Sequence, residues 1–453
     1  MITSGRHVIV LVLTDQIMRK LLKKSLPYSM ITFLQRVISQ LKKPLELVLM
    51  KIQPHRHEKA LKKVRSKNKA TVAFFVLNAD IWKFEEVLTM LENDPRFEPV
   101  IVVCPPINLR DEDIYSKMEK AYEFFKQNKH NVIYSYNKEK STYLNVKKEI
   151  SPDIVFFTNP YGYTLKEYRI ENFLDVLTCY AQYSFILEES EHFYNKTFHN
   201  LLWKAFYETK SHKKLAKRYA ANEGANVEVT GYPGIDSFVY GKRLENGAWK
   251  NRDISLKRII WAPHWSVIER GHGRPPASNF LEISEFMLHV TETYHDKIQI
   301  AFKPHPYLKH TLYHHPDWGK ERAESYYDRW DKIENGQLET GNYVDLVNSS
   351  DAMILDSISF IAEYLYSGKP SLFIKATPDV SARFNNFGKM ALDHHYHGSK
   401  SEDITQFIEN VVIEGKDTLQ GKRDQFYRDV LTPPNGKSAS KNIYNILCKE
   451  LFD

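Results

Sequence analysis

Two residues suited to binding phosphate stand where a core strand breaks off. The stretch "KIQIAFKPHP", residues 297–306, alternates apolar and polar residues up to Phe302 and then runs Lys303-Pro304-His305-Pro306. A lysine brings a positive charge and a histidine a ring N–H, and both bond phosphate oxygens. The flanking prolines restrict the backbone that presents them. Two further apolar runs end in polar residues. "RIIWA" leads into Pro263-His264-Trp265-Ser266, and "AMIL" into Asp356-Ser357-Ile358-Ser359, followed by a helical pattern that carries Glu363. Parallel sheets bind ligands beyond the carboxyl ends of their strands, so all three ends are expected on one edge. Lys303 and His305 would then face an anion. Ser357, Ser359 and the N–H groups of the following helix would seat it, and Glu363 would reach ribose hydroxyls. Asp356 reads equally well as a helix N-cap, and His264 as either a core histidine or a cleft group. The segment "RGHGRPP", 270–276, reads as a loop at the cleft mouth, from which Arg270 or Arg274 could reach a phosphate. No G-x-x-x-x-G-K-[ST] and no G-x-G-x-x-G follows a strand, which speaks against P-loop hydrolysis and dinucleotide redox chemistry.

A reaction at a bound donor also needs a base for the acceptor. Glu188, Glu189, Glu191, His192 and His199 are the candidates, with Glu189 put forward among them. "DED" at 111–113 matches a metal-binding D-x-D in letters, but it opens a helix, where acids favour the dipole. "HHP" at 314–316 and "DHHYHG" at 393–398 lack helical i, i+4 ligand spacing and read as loops. No resident cofactor or metal is expected.

The elements that must position these groups begin at residue 71. "TVAFFVLN", "FEPVIVVCPP", "NVIYSY" and "PDIVFFTN" read as strands. "DIWKFEEVLTMLEND" (capped by Asp80), "DEDIYSKMEKAYEFFKQN" and "KEKSTYLNVKKEI" read as the helices between them. Helices are expected around "KTFHNLLWKAFYE" and "SHKKLAKRYAAN", then a strand at "NVEVTGYPGID". Residues 238–256 carry no pattern. A second alternation begins at "KRIIWAPHWS" and ends in a helical tail over 401–452. Such alternation means β-α-β units and mostly parallel sheets. The expected organisation is a basic N-terminal segment (1–70), two Rossmann-like domains (71–240 and 255–435) facing a cleft, and a C-terminal helix (436–453).

The second domain resembles the bacterial CDP-glycerol glycerophosphotransferase family, which makes teichoic acids and related surface polymers. In "DSISFIAEYLYSGKP", Asp356, Ser359, Glu363, Lys369 and Pro370 fall on the family's Asp-Tyr-Ser-Ser stretch, its acidic residue seven positions later and its Lys-Pro. Ser357 and Ile358 replace the Tyr and the first Ser. "FKPHP" is similar to the family's basic-x-His-Pro, "IIWAPHWS" to its apolar-Ala-Pro strand and "VTGYPGID" to its Thr-Gly-x-Pro turn. The resemblance covers roughly residues 150–380 and implies a glycosyltransferase-B fold, with the donor on the second domain and the acceptor on the first. It further implies Lys303 and His305 on the donor pyrophosphate. The family's His-Gly-Thr-Pro stretch, which holds its base, is absent here; "NPYGYTL" or "ILEESEHFYN" occupies that region.

Composition agrees with these expectations. The 453 residues suit two domains, and a formal net charge of +7 suits anionic partners without singling out nucleic acid. Three scattered cysteines make no zinc or disulfide pattern and fit a reducing cytoplasm. No apolar run reaches about 18 residues, so no spanning helix is expected. Between Arg19 and Lys69, fifteen Lys or Arg stand against two acids, with apolar residues interleaved and breaks at Pro27, Pro44 and Pro54. This segment is either a docking element for the anionic inner face of the cell membrane or an appendage packed on the body. The leading functional expectation is transfer of glycerol phosphate from CDP-glycerol to a hydroxyl of a membrane-associated glycan in teichoic acid, capsule or O-antigen synthesis, releasing CMP. The alternative is a glycosyltransferase of the same fold with a nucleotide-sugar donor. A third reading, a membrane-docked scaffold, has no need of three polar strand ends.

Overall fold

The protein was analysed as a computed structural model that describes residues 28–107, 111–240, 248–269, 276–341 and 343–453. It is an α/β protein built on two parallel sheets. The first has seven strands: β1 (Ala70–Val76), β2 (Phe97–Val103), β3 (Val132–Tyr134), β4 (Ile154–Phe157), β5 (Leu177–Ala181), β6 (Lys204–Tyr207) and β7 (Val227–Val229). Their spatial order is β3-β2-β1-β4-β5-β6-β7. The second has six: β8 (Lys257–Ala262), β9 (Ile298–Phe302), β10 (Gly336–Leu338), β11 (Ala352–Leu355), β12 (Ser371–Ile374) and β13 (Tyr396–Gly398), in the order β10-β9-β8-β11-β12-β13. Both orders are doubly wound, with switch points between β1 and β4 and between β8 and β11. Central strands such as "IQIAF" are buried along their whole length, as sheets covered on both faces require.

Among the helices that cover these sheets, four bear on the site and its supports. α1 (Tyr28–Arg65) runs unbroken through Pro44 and Pro54, where the sequence suggested interruptions. Pro54 lies on the exposed side, where water can take up the carbonyl its ring frees. Leu49, Gln53, His57, Ala60 and Val64 form the buried stripe of this helix. Gln53 donates to the Leu174 carbonyl at 2.9 Å, and Arg65 to that of Glu450 at 2.8 Å. From Leu49 onward the segment is therefore packed on the body. Its opposite side exposes Lys51, Lys59, Lys62 and Lys63 beside Leu47 and Val48.

α2 is shorter than the sequence suggested. Asn78, not Asp80, caps a 3-10 turn over Ala79–Ile81; the chain then extends at Trp82, and α2 covers only Glu85–Glu92. Two other expected helices fail. "KTFHNLLWKAFYE" divides into a five-residue helix and β6, and "KEKSTYLNVKKEI" into a two-stranded hairpin and one helical turn. α3 (Phe360–Glu363) has four residues and continues as a 3-10 turn to Ser367. α4 (Ala439–Phe452) returns to the first sheet. Its Ile443, Leu447 and Leu451 share a core with Val72, Phe74 and Leu88.

The chain passes between the two halves twice, and the two passages touch. Gly231 has φ +93°, and a Cβ there would stand 2.9 Å from that of Pro433 and 3.1 Å from that of Ala439. Asp236, one turn on, accepts the Ala439 and Ser440 N–H groups at 3.0 and 2.6 Å. An arm from the first half adds a third contact. Phe185 stacks on Phe387 with centroids 5.3 Å apart, and Asn385 donates to the Ile186 carbonyl at 2.9 Å. Gly231→Ala meets both a disfavoured backbone and a clash, so a loss of about 1–3 kcal/mol is expected. Gly436, at φ +61°, has open space around it. Gly436→Ala should therefore lower Tm measurably less than Gly231→Ala in parallel thermal melts.

Candidate functional site

The second sheet sets its three polar strand ends level with one another. Trp261 of β8 pairs with Phe302 of β9, and Ala262 with Leu355 of β11. Lys303, Pro263-His264 and Asp356 therefore leave the sheet side by side, across the switch point. An aromatic floor lies beneath: Trp261 stacks on Phe302 at 4.9 Å and packs on Phe280 and Trp330.

Asp356 is the brace of this edge and not a ligand contact. It is 2% exposed. One carboxylate oxygen accepts the His264 N–H at 2.5 Å; the other accepts the Ser278 hydroxyl at 2.7 Å and the Asn279 N–H at 2.9 Å. Two segments of the chain thus hang on one side chain. Burial pushes its carboxyl up to about 7, against the pull of these three donors.

The two histidines are held alike. The Ser266 N–H donates to His264 Nδ1 at 3.2 Å, and the Tyr307 N–H to His305 Nδ1 at 3.1 Å. With Nδ1 accepting, the proton of each neutral ring resides on Nε2. The rings lie 5.4 Å apart, and Trp265 and Tyr307 pack against His305. Both rings are therefore fixed in orientation as N–H donors.

Lys303 is 8% exposed, and burial, more than any neighbour, pushes its ammonium below the usual range. Among the described residues, no carboxylate bonds it. Its Nζ lies 5.3 Å from the centre of the Tyr343 ring, within cation–π range. The Tyr343 hydroxyl in turn donates to Glu363 at 2.8 Å. Glu363 is 3% exposed, so it is tied to Tyr343 and does not stand open toward a ribose. Sequence reading missed Tyr343; the one signal was an aromatic residue directly before the helix that follows β10.

The remaining expected residues divide. Ser357 is buried at the end of β11, and Ser359 opens α3 without capping it through its side chain. With four residues, α3 offers little of the dipole expected of an anion seat. Lys369 turns away, donating to the Val347 and Asn348 carbonyls. Arg270 and Arg274 lie outside the described residues. Glu189 does not stand as a poised base. Its carboxylate accepts from Arg218 and from the Tyr219 hydroxyl, both at 2.7 Å, and its N–H is bonded to Arg383 of the second half. His199 is 3% exposed, and burial lowers its imidazole to about 3. His395, of the "DHHYHG" cluster, is spent on Ser371 and the Ile361 carbonyl.

The first sheet has its own recess at its carboxyl edge, a cavity of about 70 Å³ walled by Phe75, Phe157, Tyr168, Phe198 and Tyr161. Tyr161 stacks on His192 at 5.8 Å, and Lys196 Nζ lies 3.1 Å from His192 Nδ1. Burial, then Lys196, lowers the His192 imidazole, which keeps the ring neutral at pH 7.

Neither a protein-family model nor a curated protein matches the sequence. Solved structures do match over most of the chain. The wall teichoic acid polymerase TagF aligns at 14% identity with a TM-score of 0.52, covering 91% of this chain and 98% of that one. S. aureus MnaA, solved with UDP, aligns at 15% identity and TM-score 0.52, covering 84% and 97%. A UDP-N-acetylglucosamine 2-epimerase aligns at 13% identity and TM-score 0.53, covering 85% and 96%. The likeness is one of architecture: two doubly wound domains of the GT-B type, facing each other across a cleft.

Proposed function

We propose that this chain is a transferase that takes its donor as a nucleoside-diphosphate conjugate, bound at the edge of the second sheet. The observation that carries the reading is Lys303. A buried ammonium with no carboxylate bonded to it among the described residues, beside two histidines fixed as N–H donors, is built for an anion. MnaA was solved with UDP, in the same architecture. In the form favoured by the strand-end residues, the donor is CDP-glycerol and the acceptor a hydroxyl of a membrane-associated surface glycan.

The acceptor oxygen attacks the β-phosphorus in line. A new O–P bond forms, the P–O bond to the bridging oxygen breaks, and CMP leaves with that oxygen. Lys303, His305 and His264 hold the charge that develops on the phosphate oxygens. The acceptor proton passes to a base of the first domain; Glu189, paired with Arg218, is not that group, and the Nδ1 of His192 is engaged by Lys196. Residues 51–63 of α1 present the lysines that would meet an anionic membrane face. No helix among the described residues is long and apolar enough to cross a membrane.

A second reading keeps this site and changes the donor to a nucleotide sugar. It is favoured by the missing His-Gly-Thr-Pro stretch and by the UDP-sugar epimerases among the structural neighbours. Thermal shift separates the two. A ligand at one hundred times its Kd adds about 2.7 kcal/mol of stability. CDP-glycerol should raise Tm where UDP-N-acetylglucosamine does not; the reverse result selects the sugar, and a response to neither rejects both.

With the effective donor, Lys303→Met and His305→Ala should each lower turnover about 100-fold or more while circular dichroism stays unchanged. Near-normal turnover in either would remove that residue from the site. Asp356→Asn tests the brace through pH. Because the folded value, about 7, lies above the ordinary carboxylate value, the folded state favours the proton. The stability Asp356 contributes is full below about pH 4 and is lost as pH rises through 7. The Tm advantage of the wild type over the variant should shrink from pH 5 to pH 8. A constant or growing advantage would mean that Asp356 sits ionised.

A further inference from the structure

The ring that carries Lys303 carries a second lysine, and that lysine comes from the other domain. Lys83 Nζ lies 5.7 Å from the centre of Tyr343, against 5.3 Å for Lys303. The placement of Lys83 is built into the fold. It sits in the extended break between the 3-10 turn and α2, between two anchored aromatics. Trp82 packs on Phe74 and Phe125 and donates to Glu85 at 2.8 Å, and Phe84 is 2% exposed. A continuous helix would have carried Lys83 elsewhere. The stem of Lys83 then crosses Gly234 in the interdomain turn, where a Cβ would stand 2.8 Å from Lys83 Cδ. The absence of a side chain at that position leaves the lysine its path.

Two ammonium groups brought to one ring oppose each other, and Lys83 is among the groups that lower the Lys303 ammonium. The acids within range, Asp80 and Glu339, bond neither lysine. Asp80 is held by the Asn78 amide at 3.0 Å, and Glu339 by the Gly341 N–H at 2.6 Å. Buried Lys303 and half-buried Lys83 thus gather at one ring while the nearby carboxylates stay in their own loops, an arrangement that a polyanion would complete.

We propose that Lys83 and Lys303 form an interdomain clamp for the diphosphate of the donor, one cation from each domain. The inference rests on the nucleotide-donor reading above and extends it: the donor's own charge ties the domains together. The first domain then senses whether the diphosphate is intact, and the cleft loosens once only the monophosphate remains.

The test is the affinity of the full chain for CDP and CMP, and in parallel for UDP and UMP, by titration calorimetry. Lys83→Met keeps the stem over Gly234 and removes the charge; Lys83→Arg keeps the charge. For the wild type, the diphosphate should bind at least ten-fold tighter than the matching monophosphate. In Lys83→Met that gap should close to about three-fold or less, with monophosphate affinity unchanged. Lys83→Arg should restore the gap, which also guards against a folding defect in Lys83→Met. A gap of wild-type size in Lys83→Met overturns the clamp and leaves the donor reading standing. No binding of any of the four nucleotides by the wild type overturns both.

Discussion

The cleft edge of the second domain is braced by one carboxylate that is almost wholly buried. Asp356 takes the His264 N–H from the loop after β8, and the Ser278 hydroxyl and Asn279 N–H from a segment some fifteen residues beyond it. Each donor would be left unpaired without it, and buried unpaired donors cost about 1–3 kcal/mol apiece. The strand register brings the three loops level; Asp356 ties the loop after β8 to residues 278–279, and the His305 N–H bonds the Pro263 carbonyl. His264 is held at its backbone by Asp356 and at its ring by Ser266, and the ring of His305 packs on that of His264. The orientation of the histidines is thus inherited from an acid that does no chemistry itself.

The second constraint is the pair of crossings between domains. Gly231, Pro433 and Asp236 fix where the chain passes, and the arm at residues 185–189 docks on the second domain. The same turn supplies Gly234, over which Lys83 reaches the Tyr343 ring. Hinge and site therefore share residues. The Tyr343 ring therefore lies where the proposed site meets the joint between the halves.

Much of this was legible in the sequence because the signals were local and physical. Buried parallel strands are continuous apolar runs, so β1, β2, β4, β8 and β9 announced themselves, and the strand-end rule placed Lys303, His305 and His264 together. The losses have specific causes. β6 was hidden because "WKAFY" follows a helical turn without a break, and because Lys204 in the strand is matched by Glu228 and Glu450, far away in sequence. Asp356 and Glu363 fell on motif positions, yet their roles depend on partners 77 to 92 and 20 residues away, which no spacing reveals. Glu189 read as a possible base because Arg218 and Tyr219 were invisible from one strand-end segment. Lys83 was taken for one more residue in a helix that in fact breaks at Trp82.

The central claim is a location: the donor's diphosphate lies at the ends of β8, β9 and β11, on Lys303 and His305. The most direct measurement is a crystal structure of the chain with CDP bound. Phosphate oxygens within about 3 Å of Lys303 Nζ and His305 Nε2 are expected. CDP seated instead in the aromatic recess of the first sheet, with Lys303 still covered only by Tyr343, would contradict it.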